Sequence, residues 1–270
     1  MRIPTKKLLT QKILYLLTCV GLCWSSCTNE VDEFIGNVEP STRSVSTALN
    51  ANLASLFTGG APTLTSAEIK EVNDAYAKMT SINCYRNIDE AVRNKTSYAG
   101  TIFLDDTYAS AYFRKGSLAF PPYGILASSM EHEFIHMYQR DVQGKKVDTD
   151  KEKRDTGMME FELAFYQGII RYIHAGYSWT FKGEDGDPSY QSLWTSGLTD
   201  PSLIPQYERE FQTYVASICA NGKPTSIDIN EFVKWSNIFG EYSRGYSGKG
   251  YKFGNYDYGT SCINSLLKLY

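Results

Sequence analysis

A chain of 270 residues that is 42% apolar and 21% charged can bury a sizeable core and is too apolar to be disordered or fibrous. The net charge is −3, and residues 1–26 hold four cations (Arg2, Lys6, Lys7, Lys12) and no acid, which leaves −7 for the remainder. A body this acidic has no electrostatic footprint for nucleic acid, and that class of partner is set aside.

Met1–Lys12 is basic, and Ile13–Trp24 is an uncharged apolar run, shorter than the ~20 residues a membrane-spanning helix needs. Ser25, Ser26 and Cys27 follow. This layout is that of a secretory signal, and the Cys after small residues resembles a bacterial lipoprotein signal, with Trp24 where that family favours an aliphatic residue. The resemblance implies a signal over 1–26 and acylation of Cys27. It also implies a lipid anchor in the outer membrane, on its periplasmic or cell-surface side. An ordinary cleaved signal peptide is the alternative, and both export the chain. The acidic stretch Asn29–Glu33 is similar to surface-export signals of some lipoproteins. The abundance of tyrosine, 20 residues beside 3 histidines, suits a wet extracytoplasmic surface. Beyond Cys27 the cysteines are Cys84, Cys219 and Cys262; an exported chain permits one bridge and one buried thiol among them.

Residues 27–61, rich in Ser, Thr, Asn and Gly, read as a flexible tether with at most one short helix around 48–57. A capping box at Thr65-Ser66-Ala67-Glu68 opens a helix that carries Ile69, Val72, Tyr76 and Met79 at helical spacing to about Thr80. Over 99–120, short β-prone runs (101–104, 112–113, 118–120) alternate with turn residues, and Pro121-Pro122 stops the last. A helix over about 128–142 is followed by a polar loop, 143–157. Met158–His174 is apolar almost all round, as a buried helix should be. Gly183–Pro188 is an acidic loop whose spacing is not that of a calcium site. Helices are predicted over 204–220 and 229–239, the latter capped by Asp228. A Gly/Tyr loop over 243–259 and a short helix over 262–270 close the chain. The pattern is α+β: one domain over 62–270, with a small mixed or antiparallel sheet followed by a mostly helical part.

Two of the three histidines stand at His132-Glu133-Phe134-Ile135-His136. Residues four apart share one helix face, so both imidazoles can meet one ion. Glu133, on the next flank, can reach a water there without ligating. This is the HExxH pattern of zinc metallopeptidases. Met130, Phe134 and Met137 form a core-facing stripe. A catalytic zinc ion takes three protein ligands and keeps an open position. His174 stands near the end of a later helix, where a cation close to the C-terminus is the plainer reading. Glu160 and Glu162, by contrast, are carboxylates inside an apolar helix and demand partners.

The arrangement resembles the gluzincins, whose third ligand is a glutamate on a helix after the HExxH helix. It implies a zincin-like fold and zinc as the cofactor. The ligands would be His132, His136 and Glu160, with Glu162 supporting or, alternatively, itself the third ligand. Leu163 and Ala164 depart from the family pattern, and Ala164 leaves the partner that orients a histidine ligand unidentified. The implied activity is hydrolysis of a peptide or protein substrate by a monomer, with Glu133 as general base. One of Tyr246, Tyr251, Tyr256 and Tyr258 would steady the oxyanion, and the strand ending at Phe120 would align the substrate by edge pairing. An inactive surface binding lipoprotein that retains the fold, and a zinc hydrolase of non-peptide amides, are the competing readings.

Overall fold

Helices come before the strands as well as after them in the computed structural model, which describes residues 48–108, 110–145, 153–174, 200–243 and 248–270. The signal segment, Cys27, most of the tether, the acidic loop 183–188 and Tyr246 lie outside the described residues. Helix α1 (Ala51–Leu56) is capped by Asn50, whose side chain accepts from the Asn52 N–H. Its Leu53 and Leu56, and Phe57 after it, are fully buried. The tether expected to run to residue 61 is corrected over its last part: three large apolar side chains join the core, so residues 51–57 belong to the packed body.

Helix α2 (Ser66–Ser81) begins at the predicted capping box, with the Thr65 hydroxyl accepting from the Glu68 N–H and the Glu68 carboxylate accepting from the Thr65 N–H at 2.6 Å. Helix α3 (Asn83–Lys95), not anticipated from sequence, turns Tyr85, Ile88 and Val92 inward. Its Asp89 is buried, and a buried carboxylate requires partners; it accepts from the Tyr76 hydroxyl at 2.8 Å and from Arg93 Nε at 2.9 Å.

Three strands follow, β1 (Ile102–Leu104), β2 (Tyr112–Arg114) and β3 (Ser117–Phe120), in the spatial order β1-β3-β2. β3 runs parallel to β1 (Ile102↔Leu118) and antiparallel to β2 (Tyr112↔Ala119). The β2–β3 loop is Lys115-Gly116, with φ of 51° and 78°. Positive φ at both positions is what a tight type I′ hairpin turn demands. The sheet is thus small and mixed, as expected for the α+β class, but β3 lies at its centre. Both of its edges are occupied, so the strand ending at Phe120 cannot align a substrate by edge pairing; that expectation is withdrawn.

Helix α4 (Ala127–Met137) continues into a π-helical turn over Tyr138–Val142, in which the Gln143 N–H donates to the Tyr138 carbonyl at 3.0 Å. Helix α5 (Lys153–His174) starts inside the stretch read as a polar loop. Then come α6 (Ile204–Ile218), a two-stranded ribbon of β4 (Cys219–Ala220) and β5 (Lys223–Pro224), α7 (Ile229–Tyr242), and α8 (Ser261–Leu267). Asp228 caps α7 as predicted, accepting from the Asn230 N–H. The core centres on α5, whose Phe161 and Phe165 stack among Phe211, Phe232 and Phe239. Aromatic clusters of this kind add to the area they bury. Cys84, Cys219 and Cys262 are all free thiols, so the expected bridge is absent from the described residues. No described helix is long and apolar enough to cross a membrane.

Candidate metal centre

The rotation of α4 about its axis is fixed by Met130, Phe134, Ile135 and Met137, all fully buried. With that face committed to the core, His132 and His136 present their rings together towards α5, and each side chain keeps 17–20% exposure. Glu160 reaches them from the first half of α5. Among the described residues, His132, His136 and Glu160 are the one group of three whose ligand atoms converge, all within 4.8 Å of one another.

The separations within this triad fit a small cation. The two Nε2 atoms stand 3.2 Å apart, His136 Nε2 lies 3.3 Å from Glu160 Oε1, and His132 Nε2 lies 3.7 Å from Glu160 Oε2. Three corners of a tetrahedron with metal–ligand arms of ~2.0–2.1 Å are ~3.4 Å apart. The donor set, two imidazoles and a carboxylate, also suits a borderline divalent ion.

Glu133 lies on the flank facing the sheet. It is buried, its Oε1 is 4.0 Å from His132 Nε2, and its carboxylate accepts a backbone N–H bond from Phe113 of β2. Burial, reinforced by the charge of Glu160, raises its pKa to about 7, against the pull of His136 and that hydrogen bond. A carboxyl poised near neutrality can both take and return a proton. Burial and the neighbouring His136 lower His132 to about 4. His136 is raised to about 9: burial opposes its charge, but the charge and hydrogen bond of Glu160, the charge of Glu133 and the hydrogen bond of Gln139 together outweigh it.

Glu162 is turned away from the triad and fully buried. Its Oε2 accepts from Gln139 Nε2 at 2.8 Å and from the Tyr258 hydroxyl at 2.9 Å. Burial raises its pKa, against hydrogen bonds from Cys262, Gln139 and Tyr258 and the charge of Lys145. Lys145 itself donates to the Tyr258 carbonyl at 3.0 Å and lies over the Tyr258 ring. Glu162 therefore does not enter the triad. Of the loop tyrosines, Tyr258 is buried and committed to Glu162, while Tyr256 is exposed. His174, at the end of α5, packs its ring 5.9 Å from that of Tyr270 and is not part of the triad.

Sequence reasoning missed Gln139. Its Oε1 lies 2.9 Å from His136 Nδ1, and its Nε2 also donates to the Met159 carbonyl at 3.0 Å. The one available signal was an amide three residues after His136 on the face of the two histidines, which residue type alone does not distinguish from a solvated position. The π-helical turn at Tyr138–Val142 was equally unreadable, although such turns recur at functional sites. Arg140 in that turn lies over the rings of Phe113 (4.3 Å) and Tyr98 (5.6 Å) and pairs with Asp141. That contact ties α4 to β2, the strand whose N–H meets Glu133. Compared with protein-family models, curated proteins and solved structures, the chain matches none.

Proposed function

We propose that the protein is a zinc-dependent hydrolase, and most specifically a peptidase, whose metal is held by His132, His136 and Glu160. The observation that carries this reading is the triad together with a separate buried carboxyl, Glu133, beside it. Structural metal sites close all four positions with protein ligands, whereas a catalytic one leaves a position open. When bound, zinc would supply Lewis acidity, acidifying a water and polarising a carbonyl. Glu133 would take the proton of the attacking water and hand it to the departing amine. Its near-neutral pKa suits both directions. The outer edge of β2, which pairs with β3 on its other side, would be the edge offered to an extended substrate.

The HExxH pattern and the glutamate on the following helix support a zincin-like fold of gluzincin type. The N-terminal sequence supports export and a lipid anchor at Cys27, and the acidic body gives no support for nucleic acid as a partner. The test is metal analysis of the soluble chain beginning after Cys27, combined with turnover of a peptide library followed by mass spectrometry. About one zinc per chain is expected, lost in His132→Ala. Glu133→Gln should keep the metal and lose at least ~10²-fold in turnover, the low end of a general-base contribution. Zinc bound without any peptide cleavage would leave a binding lipoprotein or an amidase acting on cell-wall material, and the same library extended to cell-wall fragments separates those two.

A further inference from the structure

Gln139 lies on the π-helical turn just beyond the HExxH segment, and the geometry around it leaves no freedom in how its amide is oriented. Its Nε2 faces the Met159 carbonyl, which can only accept, at 3.0 Å and Glu162 Oε2 at 2.8 Å. An NH₂ group has two donors, and both are used there. The atom turned to His136 is therefore Oε1, an acceptor only, 2.9 Å from Nδ1. An imidazole nitrogen opposite a pure acceptor must carry the proton. In neutral His136 that leaves Nε2 with a bare lone pair, and Nε2 is the atom facing His132 and Glu160 at 3.2 and 3.3 Å.

The chain of contacts continues behind Gln139. Glu162 is fully buried on α5 and holds Gln139 from the side opposite the histidine. Tyr258, 96 residues later, donates to the same Glu162 oxygen at 2.9 Å. On the reading that the triad binds zinc, we propose that Gln139 is the positioning residue of His136, fixing its tautomer and ring plane, with Glu162 and Tyr258 bracing that amide. Ligand histidines need such a partner on the other ring nitrogen, because it sets both orientation and basicity. The partner that Ala164 leaves missing in the family pattern is here supplied from the ligand helix itself. Gln139 neither touches substrate nor enters the metal sphere.

The proposal is tested on the soluble chain with zinc affinity, measured by competition with a chromophoric chelator, rather than with turnover. Gln139→Leu keeps the volume and removes both halves of the relay; zinc affinity should fall by about 10–100-fold. Gln139→Glu keeps an oxygen acceptor against Nδ1–H and, as the protonated acid, one donor for the Met159 carbonyl or Glu162, and should bind within about threefold of wild type. A residue that merely fills space would not distinguish these two variants. Independently of any variant, long-range ¹H–¹⁵N spectra of the metal-free wild type, taken at a pH where His136 is neutral, should show its proton at Nδ1, a readout that stands if Gln139→Leu does not fold. Gln139→Leu binding zinc within about twofold of wild type, or His136 protonated at Nε2, overturns the proposal while leaving the metal centre intact. A wild-type chain that binds no zinc overturns both.

Discussion

Two residues along an α-helix rotate a side chain by about 200°, so Glu160 and Glu162 leave α5 on nearly opposite faces. Glu160 keeps one-fifth of its side chain exposed and stands before two imidazoles, whereas Glu162 is fully buried among Gln139 and Tyr258. Their substitution should fail in different ways. Glu160→Ala should abolish zinc binding and cost the metal-free protein less stability in urea than Glu162→Ala does, since its side chain keeps contact with solvent. Glu162→Ala should cost about 2 kcal/mol or more in the same titration, because it strands the buried donors of Gln139, Tyr258 and Cys262. Metal content and urea unfolding, measured on both, decide it; equal destabilisation would contradict the division. Much of this site was legible because it is local. The i, i+4 histidines follow from helix geometry, and the two acids in an apolar helix announce that something must partner them. What no local pattern carries is which of the two acids meets which partner, since Tyr258 lies 96 residues from Glu162. Gln139 was invisible for the same reason: an amide's role is set by neighbours from α5, not by its own sequence context.

Elements built from short-range chemistry were predictable, and those that depend on a distant surface were not. The capping box of α2 is written in four consecutive residues. Thr65→Ala removes its hydroxyl acceptor and should cost about 1 kcal/mol, read as a fall in the denaturant midpoint with an unchanged slope. The place of β3 at the centre of the sheet, by contrast, is a matter of strand order, which alternation within a strand does not encode. Gly240 shows the same dependence from the other side. It lies inside α7, where alanine is normally favoured by about 1 kcal/mol, yet a Cβ there would run into the Phe253 ring and its Cβ. Because the obstruction includes the root of that side chain, Phe253 cannot turn out of the way without moving its backbone. Gly240→Ala should therefore destabilise by about 1–3 kcal/mol despite its better helix propensity. An unchanged or raised midpoint would show that the 251–254 segment is not seated on α7.

At the scale of the whole molecule, the last described segment is wrapped over the same helices that carry the triad. Gly157, at the start of α5, lies under it, 3.0 Å from its virtual Cβ to the Lys252 carbonyl. Tyr258 braces Glu162, Cys262, Ile263, Leu266 and Leu267 are buried, and the Leu269 carbonyl accepts from Asn87 Nδ2 of α3 at 2.6 Å. A cation at the triad would join α4 to α5 from the open side while residues 248–270 join them from behind. Anything that binds the folded chain alone stabilises it by mass action, about 4 kcal/mol at a thousandfold excess over Kd. Chelation should accordingly lower the melting temperature of the wild type and leave that of His132→Ala where it was. Ending the chain after Ser247 removes the closure from behind as well. Such a chain should lose its cooperative unfolding transition and become protease-sensitive, with added zinc unable to restore it, because the buried area of α8 exceeds what one ion can replace. A truncated chain that still melts sharply and binds zinc as tightly as the full one would show that the C-terminal segment covers the centre without supporting it.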